Sequence, residues 1–402
     1  MKKIILQLHD IKDPVNYSIN FLNKVQEAIG KIEVLILVPC LSQNMINHVN
    51  AAFKYKILIT NEYLKQDISL ENVSVSDFDL QSCQLQQKVF EKIGKMLPFQ
   101  SIIKSHIAYS TLYKKIIENY APDFCVCWNG QVHIDQTTFR DTCSNLNLDM
   151  LFLERGLIPN SVFYDSEGVN ATSSVAKWDI KEYKDTDHKE SYGLLQDYLK
   201  KEGVAVVKVK QKRQKFLIPY VLFPLQRDSD SNLVSNSKYF KNMYTILKQI
   251  DQSDLPIPVH YRAHPEDPKS HYTKSLNFKN KYLEEKSNID LEQHLMNSAA
   301  VMTINSTIGF SALLKDKIVI TLGESLYADK GFTIDYKDYR SFQKILTNID
   351  QHKLTEEMKE MKDKFVSKVI TERHLVFNSS RLSFIQTNNL KNYIDCVLGE
   401  QK

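Results

Sequence analysis

The sequence is poor in the features that most directly announce a chemistry. It holds no GxxxxGK[S/T] phosphate loop, no GxGxxG dinucleotide turn and no HExxH pair. Its six cysteines form no metal-ligand spacing: Cys125 and Cys127 share one face of an apolar stretch, while Cys40, Cys83, Cys143 and Cys396 stand apart. Reduced thiols in a cytoplasmic protein are the simplest reading, and no metal is expected. No apolar run approaches the ~18 residues that a membrane-spanning helix needs. The start, "MKKIILQLHD", has only a short apolar run before Gln7 and His9, too little for a signal peptide. The expectation is a chain that neither spans a membrane nor is exported by that route. Charge of one sign is also scarce in excess. Against 48 Asp and Glu stand 52 Lys and Arg, a net charge of +4, which is too small to indicate a nucleic-acid binder.

What is present is length and alternation. A chain of 402 residues with 43% hydrophobic content can bury a sizeable core and favours two domains. "KIILQL", "EVLILVPC", "YKILIT", "PDFCVCWNG" and "MLFLERG" read as buried strands. Helices are expected over 21–29, 45–53, 81–96 and 99–119, which gives α/β patterning. Between about 177 and 215 the charge density rises and apolar periodicity fades. The alternation then restarts with "FLIPYVLFPLQ", "PIPVHYRAHP", "AVMTINS" and "KIVITLG", with helices over 238–249, 290–298 and 308–314. The expected organisation is an N-terminal Rossmann-like acceptor domain over 1–180, a linker over 181–215 and a C-terminal Rossmann-like nucleotide domain over 216–402. The fold class is α/β, two Rossmann-like domains facing each other.

Candidate chemistry gathers at strand ends, where open α/β sheets bind ligands. In "RAHPEDP", Arg262 and His264 precede Pro265, which stiffens the turn that presents the imidazole. In "TINSTIG", Asn305, Ser306 and Thr307 lie between a strand and a helix. They serve equally well as N-cap and as anion donors. "PLQRDSDSN" carries Asp228, Asp230 and Asn232 at alternate positions, so an extended segment would aim them one way. A carboxylate there suits a covalent nucleophile toward an anomeric carbon, against the ordinary alternative of a solvated acidic loop. Asn129 and Glu154-Arg155-Gly156 also end strands, and Glu154 is a candidate general acid/base. "DSEGVN" is a turn in which Gly168 and Asn170 can take positive φ. In "GESLYADKGFT", Gly323 permits close backbone approach and Glu324 can accept from ribose hydroxyls.

In this order, "WNG", "ERG", "GVN", "FPLQ…D", "HPEDP", "NSTIGFSALL" and "GESLYADKGFT" resemble the bacterial capsular-polysaccharide synthesis family, whose characterised members are retaining β-Kdo transferases using CMP-Kdo. The resemblance runs from about Trp128 to Thr333. More distantly, the His-Pro turn and the Ser/Thr-rich helix start are similar to those of bacterial sialyltransferases. The resemblance implies a GT-B-like glycosyltransferase with CMP carried by the second domain. His264, Ser306 and Thr307 would hold phosphate, with Arg262, Pro265, Asn305 and Gly323 around it. Glu324 and Tyr327 would lie near the nucleoside, and Gln226 would line the donor site. Asn129, Gly156, Asn170 and Lys330 fall to the donor or acceptor sugar. Asp230 is the preferred nucleophile, Asn232 the second position, and Glu154 the group that activates the acceptor.

The implied partners are a CMP-sugar donor and a lipid-linked glycan acceptor of capsule or O-antigen (lipopolysaccharide) synthesis. The protein is expected to be cytoplasmic and compatible with a larger protein or complex; the basic stretch Lys208 to Lys215 could contact anionic headgroups of the inner membrane, against the commoner reading of a solvated linker. No cofactor is expected. Two further readings stay open: an inverting CMP-sugar transferase of the sialyltransferase kind, and a non-catalytic glycan- or nucleotide-binding subunit.

Overall fold

The computed structural model describes residues 1–8, 12–40, 55–64, 79–92, 94–131, 133–181, 183, 188–204, 218–267 and 278–399. The helix expected over 45–53 and the stretch Lys208 to Lys215 lie outside the described residues. The chain divides into two compact units, one of residues 1–174 with 369–402, the other of residues 175–368.

The first unit contains β1 (Lys2–Gln7), β2 (Ile32–Val38), β3 (Lys56–Ile59), β4 (Phe124–Trp128), β5 (Met150–Arg155) and β6 (Ser161–Asp165). The second contains β7 (Val221–Pro224), β8 (Val259–Arg262), β9 (Leu283–Glu285), β10 (Ala300–Thr303), β11 (Ile318–Thr321) and β12 (Ile334–Asp335). The last strand, β13 (His374–Val376), returns to the first unit.

The first sheet has the order β13-β6-β5-β4-β1-β2-β3. Its β3-β2-β1-β4-β5 portion is parallel, while β6 pairs antiparallel with both β5 and β13. Parallel strands covered on both faces need continuous rather than alternating apolar sequence. That is why "FCVCW" is buried at all five positions and why Ile4, Ile5 and Leu6 are all inaccessible. Each such aliphatic side chain contributes roughly 1.5–3 kcal/mol through burial.

The second sheet is parallel throughout, in the order β12-β11-β10-β7-β8-β9. Counted from β7 this is 3-2-1-4-5-6, the dinucleotide-fold order, whose reversal point lies between the first and fourth strands. Here those are β7 and β10. Each unit is therefore Rossmann-like, as the alternation predicts.

The domain limits differ from the sequence expectation at the C-terminal side. Residues from Val369 onward belong to the first unit, because β13 extends its sheet beside β6 and Leu375, Leu390 and Ile394 join its core. The 181–215 stretch expected as linker contains the helix His188–Lys201, which buries His188, Leu195, Tyr198 and Leu199 and lies within the second unit. Among the described residues no helix is long and apolar enough to cross a membrane.

Candidate functional site

The reversal point of the second sheet gathers much of the predicted chemistry. β7 stops at Pro224, which has no N–H to continue the ladder. Two residues on, the buried Gln226 reaches across to the turn that follows β10. Its Nε2 donates to Asn305 Oδ1 at 2.9 Å, and its Oε1 accepts from the Asn305 backbone N–H at 3.2 Å and the Thr303 hydroxyl at 3.4 Å. Asn305 Nδ2 in turn donates to the Asn232 carbonyl at 2.9 Å. Gln226 and Asn305 thus spend their amides on each other and on the backbone, and they fix the two loops in register.

Segment 228–232 is not extended, so the expected common aim of its three side chains does not occur. The chain turns at Asp230, whose N–H donates to the Arg227 carbonyl, and a helix, Ser231–Asn236, begins directly afterwards. Asp228 Oδ1 accepts from Met243 N–H at 2.8 Å and pins the loop. Asp230 caps the helix, its Oδ1 accepting from Asn232 N–H at 2.9 Å. The Asn232 amide oxygen accepts from Asn236 Nδ2 at 3.4 Å, within the same helix. Burial pushes the Asp230 carboxyl up from the ordinary carboxylate range, opposed by the Asn232 N–H, by Arg227 and His264, and by the Gln226 amide.

His264 follows β8. Its Nδ1 accepts from the Glu266 N–H at 3.2 Å, so the neutral ring carries its proton on Nε2 and presents that N–H as a donor. Pro265 is exposed beside it. Arg262 ends β8 and donates to the Ile289 carbonyl at 2.9 Å, and burial lowers its pKa. After β10, the Ser306 hydroxyl caps the helix Thr307–Leu313 by accepting from Ile308 N–H at 3.3 Å, while Thr307 is exposed.

Tyr327 lies beneath this turn, fully buried, and its hydroxyl donates to the Ser306 carbonyl at 2.6 Å. It fits there because position 309 is glycine: a Cβ would stand 2.2 Å from the Tyr327 oxygen. Tyr327 thus supports the turn from below. Gly323 allows a second close approach, since a Cβ there would meet Ile304 Cγ2 at 2.6 Å and the Asn236 carbonyl at 2.9 Å. The exposed Glu324 follows, its N–H donating to that same carbonyl at 2.9 Å. Lys330 is buried, and its ammonium donates to the carbonyls of Ala176 at 2.6 Å and Trp178 at 2.7 Å. It is committed to backbone rather than to a sugar.

The first unit brings two of its predicted residues together. Asn129, in the left-handed region at φ 61°, donates through Nδ2 to Glu154 Oε2 at 2.5 Å, and Arg155 N–H donates to Oε1 at 2.9 Å. The Glu154 carboxylate is held by both oxygens. Gly156 opens the β5–β6 hairpin, its N–H on the Ser161 carbonyl. Asn170, at φ 55°, belongs to a turn clamped by the inaccessible Asp165, which accepts from Ser174 N–H, Ser174 Oγ and Glu167 N–H and pairs with Arg373. Gln131 joins this turn to the Asn129–Glu154 pair: its N–H donates to Asn129 Oδ1 at 3.0 Å, and its Nε2 donates to the Val169 carbonyl at 3.4 Å and to the Thr172 hydroxyl, on either side of Asn170.

Sequence reasoning passed over Asp135. It is buried and accepts from Gln7 Nε2 at 2.7 Å, and burial raises its carboxyl to about 7. The available signal was Gln7, a polar residue closing an otherwise apolar strand. Among the described residues no cluster of histidine, cysteine or carboxylate side chains is arranged to hold a metal ion.

Residues 179–361 match the family described as capsule polysaccharide biosynthesis protein. The FixF protein of Sinorhizobium fredii is 29% identical over 191 residues, 44% of this chain and 43% of that protein, so the match spans less than half of either. Similar solved structures include two Thermosulfurimonas dismutans KpsC transferases. The beta Kdo 2,7 transferase has a TM-score of 0.46 and 18% identity, covering 78% of this chain and 97% of that one. The beta Kdo 2,4 transferase has a TM-score of 0.42 and 14% identity, with coverages of 71% and 88%. The S. aureus MnaA–UDP structure follows at a TM-score of 0.40 and 11% identity, covering 99% of this chain and 97% of that chain.

Proposed function

We propose, from the match of residues 179–361 to the family described as capsule polysaccharide biosynthesis protein, that the chain is a glycosyltransferase of surface-polysaccharide synthesis that takes Kdo from CMP-Kdo with retention of configuration. The observation that carries this reading is the assembly at the β7/β10 reversal point. There a carboxyl, Asp230, is held on the loop after β7, which Gln226 and Asn305 lock to the turn after β10, while Arg227 on that loop pairs with Glu266 beside His264 at 3.7 Å.

In the reaction, an Asp230 oxygen attacks the anomeric carbon of Kdo. The bond from that carbon to the phosphate oxygen breaks, and its electron pair leaves with CMP. The His264 Nε2–H and the 305–307 turn donate to the phosphate, stabilising the charge that develops on it. An acceptor hydroxyl then attacks the same carbon and releases the Asp230 carboxylate. Its proton passes to a general base. Two inversions give net retention. No metal takes part in this scheme. The acceptor is a lipid-linked glycan, which places the work at the cytoplasmic face of a membrane through peripheral contact.

Attack requires the Asp230 anion. Because burial raises its pKa, transfer should fall as pH drops through that raised value. The deciding experiment is intact-protein and peptide mass spectrometry after incubation with CMP-Kdo. A Kdo-sized mass on the peptide that contains Asp230, absent from Asp230→Ala, is the expected result. CMP release with an inverted product, or a sugar attached elsewhere, would overturn the mechanism.

A further inference from the structure

Beside Gly323 and Glu324 lies a cavity of about 320 Å³ to which no role has been given, at the low end of the range for small-ligand sites. Its floor comes from the ends of β11 and β12, including Thr321 and Asp335, and its rim carries Lys238, Tyr239 and Tyr336. The two tyrosines differ in setting. Tyr336 is anchored, its ring 4.9 Å from that of Phe240 and 5.5 Å from that of Phe342, both fully buried. Tyr239 stands 5.0 Å from Tyr336 at 69° and is 44% exposed beside the hollow, with the Lys238 ammonium 5.6 Å over its ring. Its loop is tied to the opposite wall, because the Asn236 carbonyl just before it accepts the Glu324 N–H.

The sheet supplies a ruler. β10, β11 and β12 are successive parallel neighbours, and each step between strands is about 4.8 Å. The 305–307 turn follows β10, Glu324 follows β11, and Tyr336 follows Asp335, the last residue of β12. A phosphate at the first, a ribose at the second and a base at the third span about 10 Å, the reach of an extended nucleoside monophosphate. We propose that this cavity is the nucleobase subsite of the donor, with Tyr239 as the stacking platform, Tyr336 as its support and Glu324 as acceptor for the ribose hydroxyls. This rests on the second unit being a nucleotide-sugar site. It assigns the aromatic contact to Tyr239 rather than to Tyr327, which is sealed beneath the 305–307 turn.

Titration calorimetry on the full chain with CMP, UMP and ribose 5-phosphate tests it. Stacking of a base on an aromatic side chain is strong enough that Tyr239→Ala should weaken CMP about tenfold. Tyr239→Phe should retain affinity, and ribose 5-phosphate, which has no base, should bind wild type and Tyr239→Ala alike. Unchanged CMP affinity in Tyr239→Ala overturns the subsite while leaving the donor reading in place, and so does an equal loss for ribose 5-phosphate. Wild type that binds UMP in preference to CMP, with the same dependence on Tyr239, supports the platform and refutes CMP as the donor nucleotide. Wild type that binds no nucleotide refutes both.

Discussion

Acid should unfold the second unit earlier than its carboxylates alone would dictate, because of two histidines that take no part in the proposed chemistry. His260 on β8 and His294 on the helix Leu291–Asn297 meet in the interior, Nδ1 to Nε2 at 3.3 Å. Tyr220 stacks on His260 with ring centroids 4.1 Å apart and donates its hydroxyl to the His294 carbonyl. One ring must give an N–H and the other accept it, so both cannot be protonated in this geometry. His294 Nδ1 is buried with no hydrogen-bond partner among the described residues. Burial lowers both rings to about 4. Unfolded histidine titrates near 6.5, so between pH 6.5 and 4 the unfolded chain binds protons that the folded chain refuses. Stability is then complete above pH 6.5 and falls as pH drops through that window. The slope is roughly 1.4 kcal/mol per pH unit for each ring, or on the order of 4 kcal/mol for the pair at pH 5. Urea unfolding of the full chain at pH 7, 6 and 5, followed by circular dichroism, measures it. His260→Phe with His294→Leu should flatten the profile by that amount. Superimposable pH profiles for wild type and the double variant would refute the reasoning.

Gly309→Ala should cost about 1–3 kcal/mol, because its Cβ collides with the Tyr327 hydroxyl, and Tyr327→Phe should rescue part of the loss in a thermal double-mutant cycle. Gln226→Leu should leave the Asn305 amide and N–H short of partners in a partly buried turn, costing about 1–3 kcal/mol, and should weaken CMP binding in calorimetry. Asp165→Ala should cost about 3–5 kcal/mol in urea denaturation, since it removes the buried carboxylate that pairs with Arg373 and releases the 166–174 turn; Asp165→Asn should cost less.

The strands of both units were largely legible because buried parallel strands are written as unbroken apolar runs, and β1, β2, β4, β5, β10 and β11 all have that form. The strands missed were of another kind. β6 lies inside a stretch dominated by its turn, β9 and β12 are three and two residues long, and β13 sits next to a charged helix. None presents enough apolar sequence to be read alone, and pairing partners far along the chain define them. The site was legible by residue type and less so by direction. Gln226, Asn232 and Asn305 are hydrogen-bonded together at the reversal point, with Asp230 capping the helix that holds Asn232, and His264 follows the adjacent strand β8. Period-two alternation failed over 228–232 because Asp230 is itself a good N-cap, and a cap turns the chain into a helix. Lys330 and Tyr327 were misjudged because their motif says nothing about depth: one is bound to carbonyls and the other lies under a glycine. Tyr239 was passed over because its neighbours in the sheet come from nearly a hundred residues downstream.

The return of β13 to the first sheet bears on how the protein is made. The second unit is, topologically, an insertion: residues 175–368 interrupt a domain that begins at residue 1 and is finished only by 369–402. Until those residues emerge from the ribosome, β6 presents an open sheet edge and Asp165 has no Arg373, so the first unit waits half-built while the second is completed. Order of synthesis and order of folding are thereby crossed. The unit translated first should be the last to reach its final hydrogen-exchange protection, and an aggregation-prone interval belongs to it rather than to the second unit.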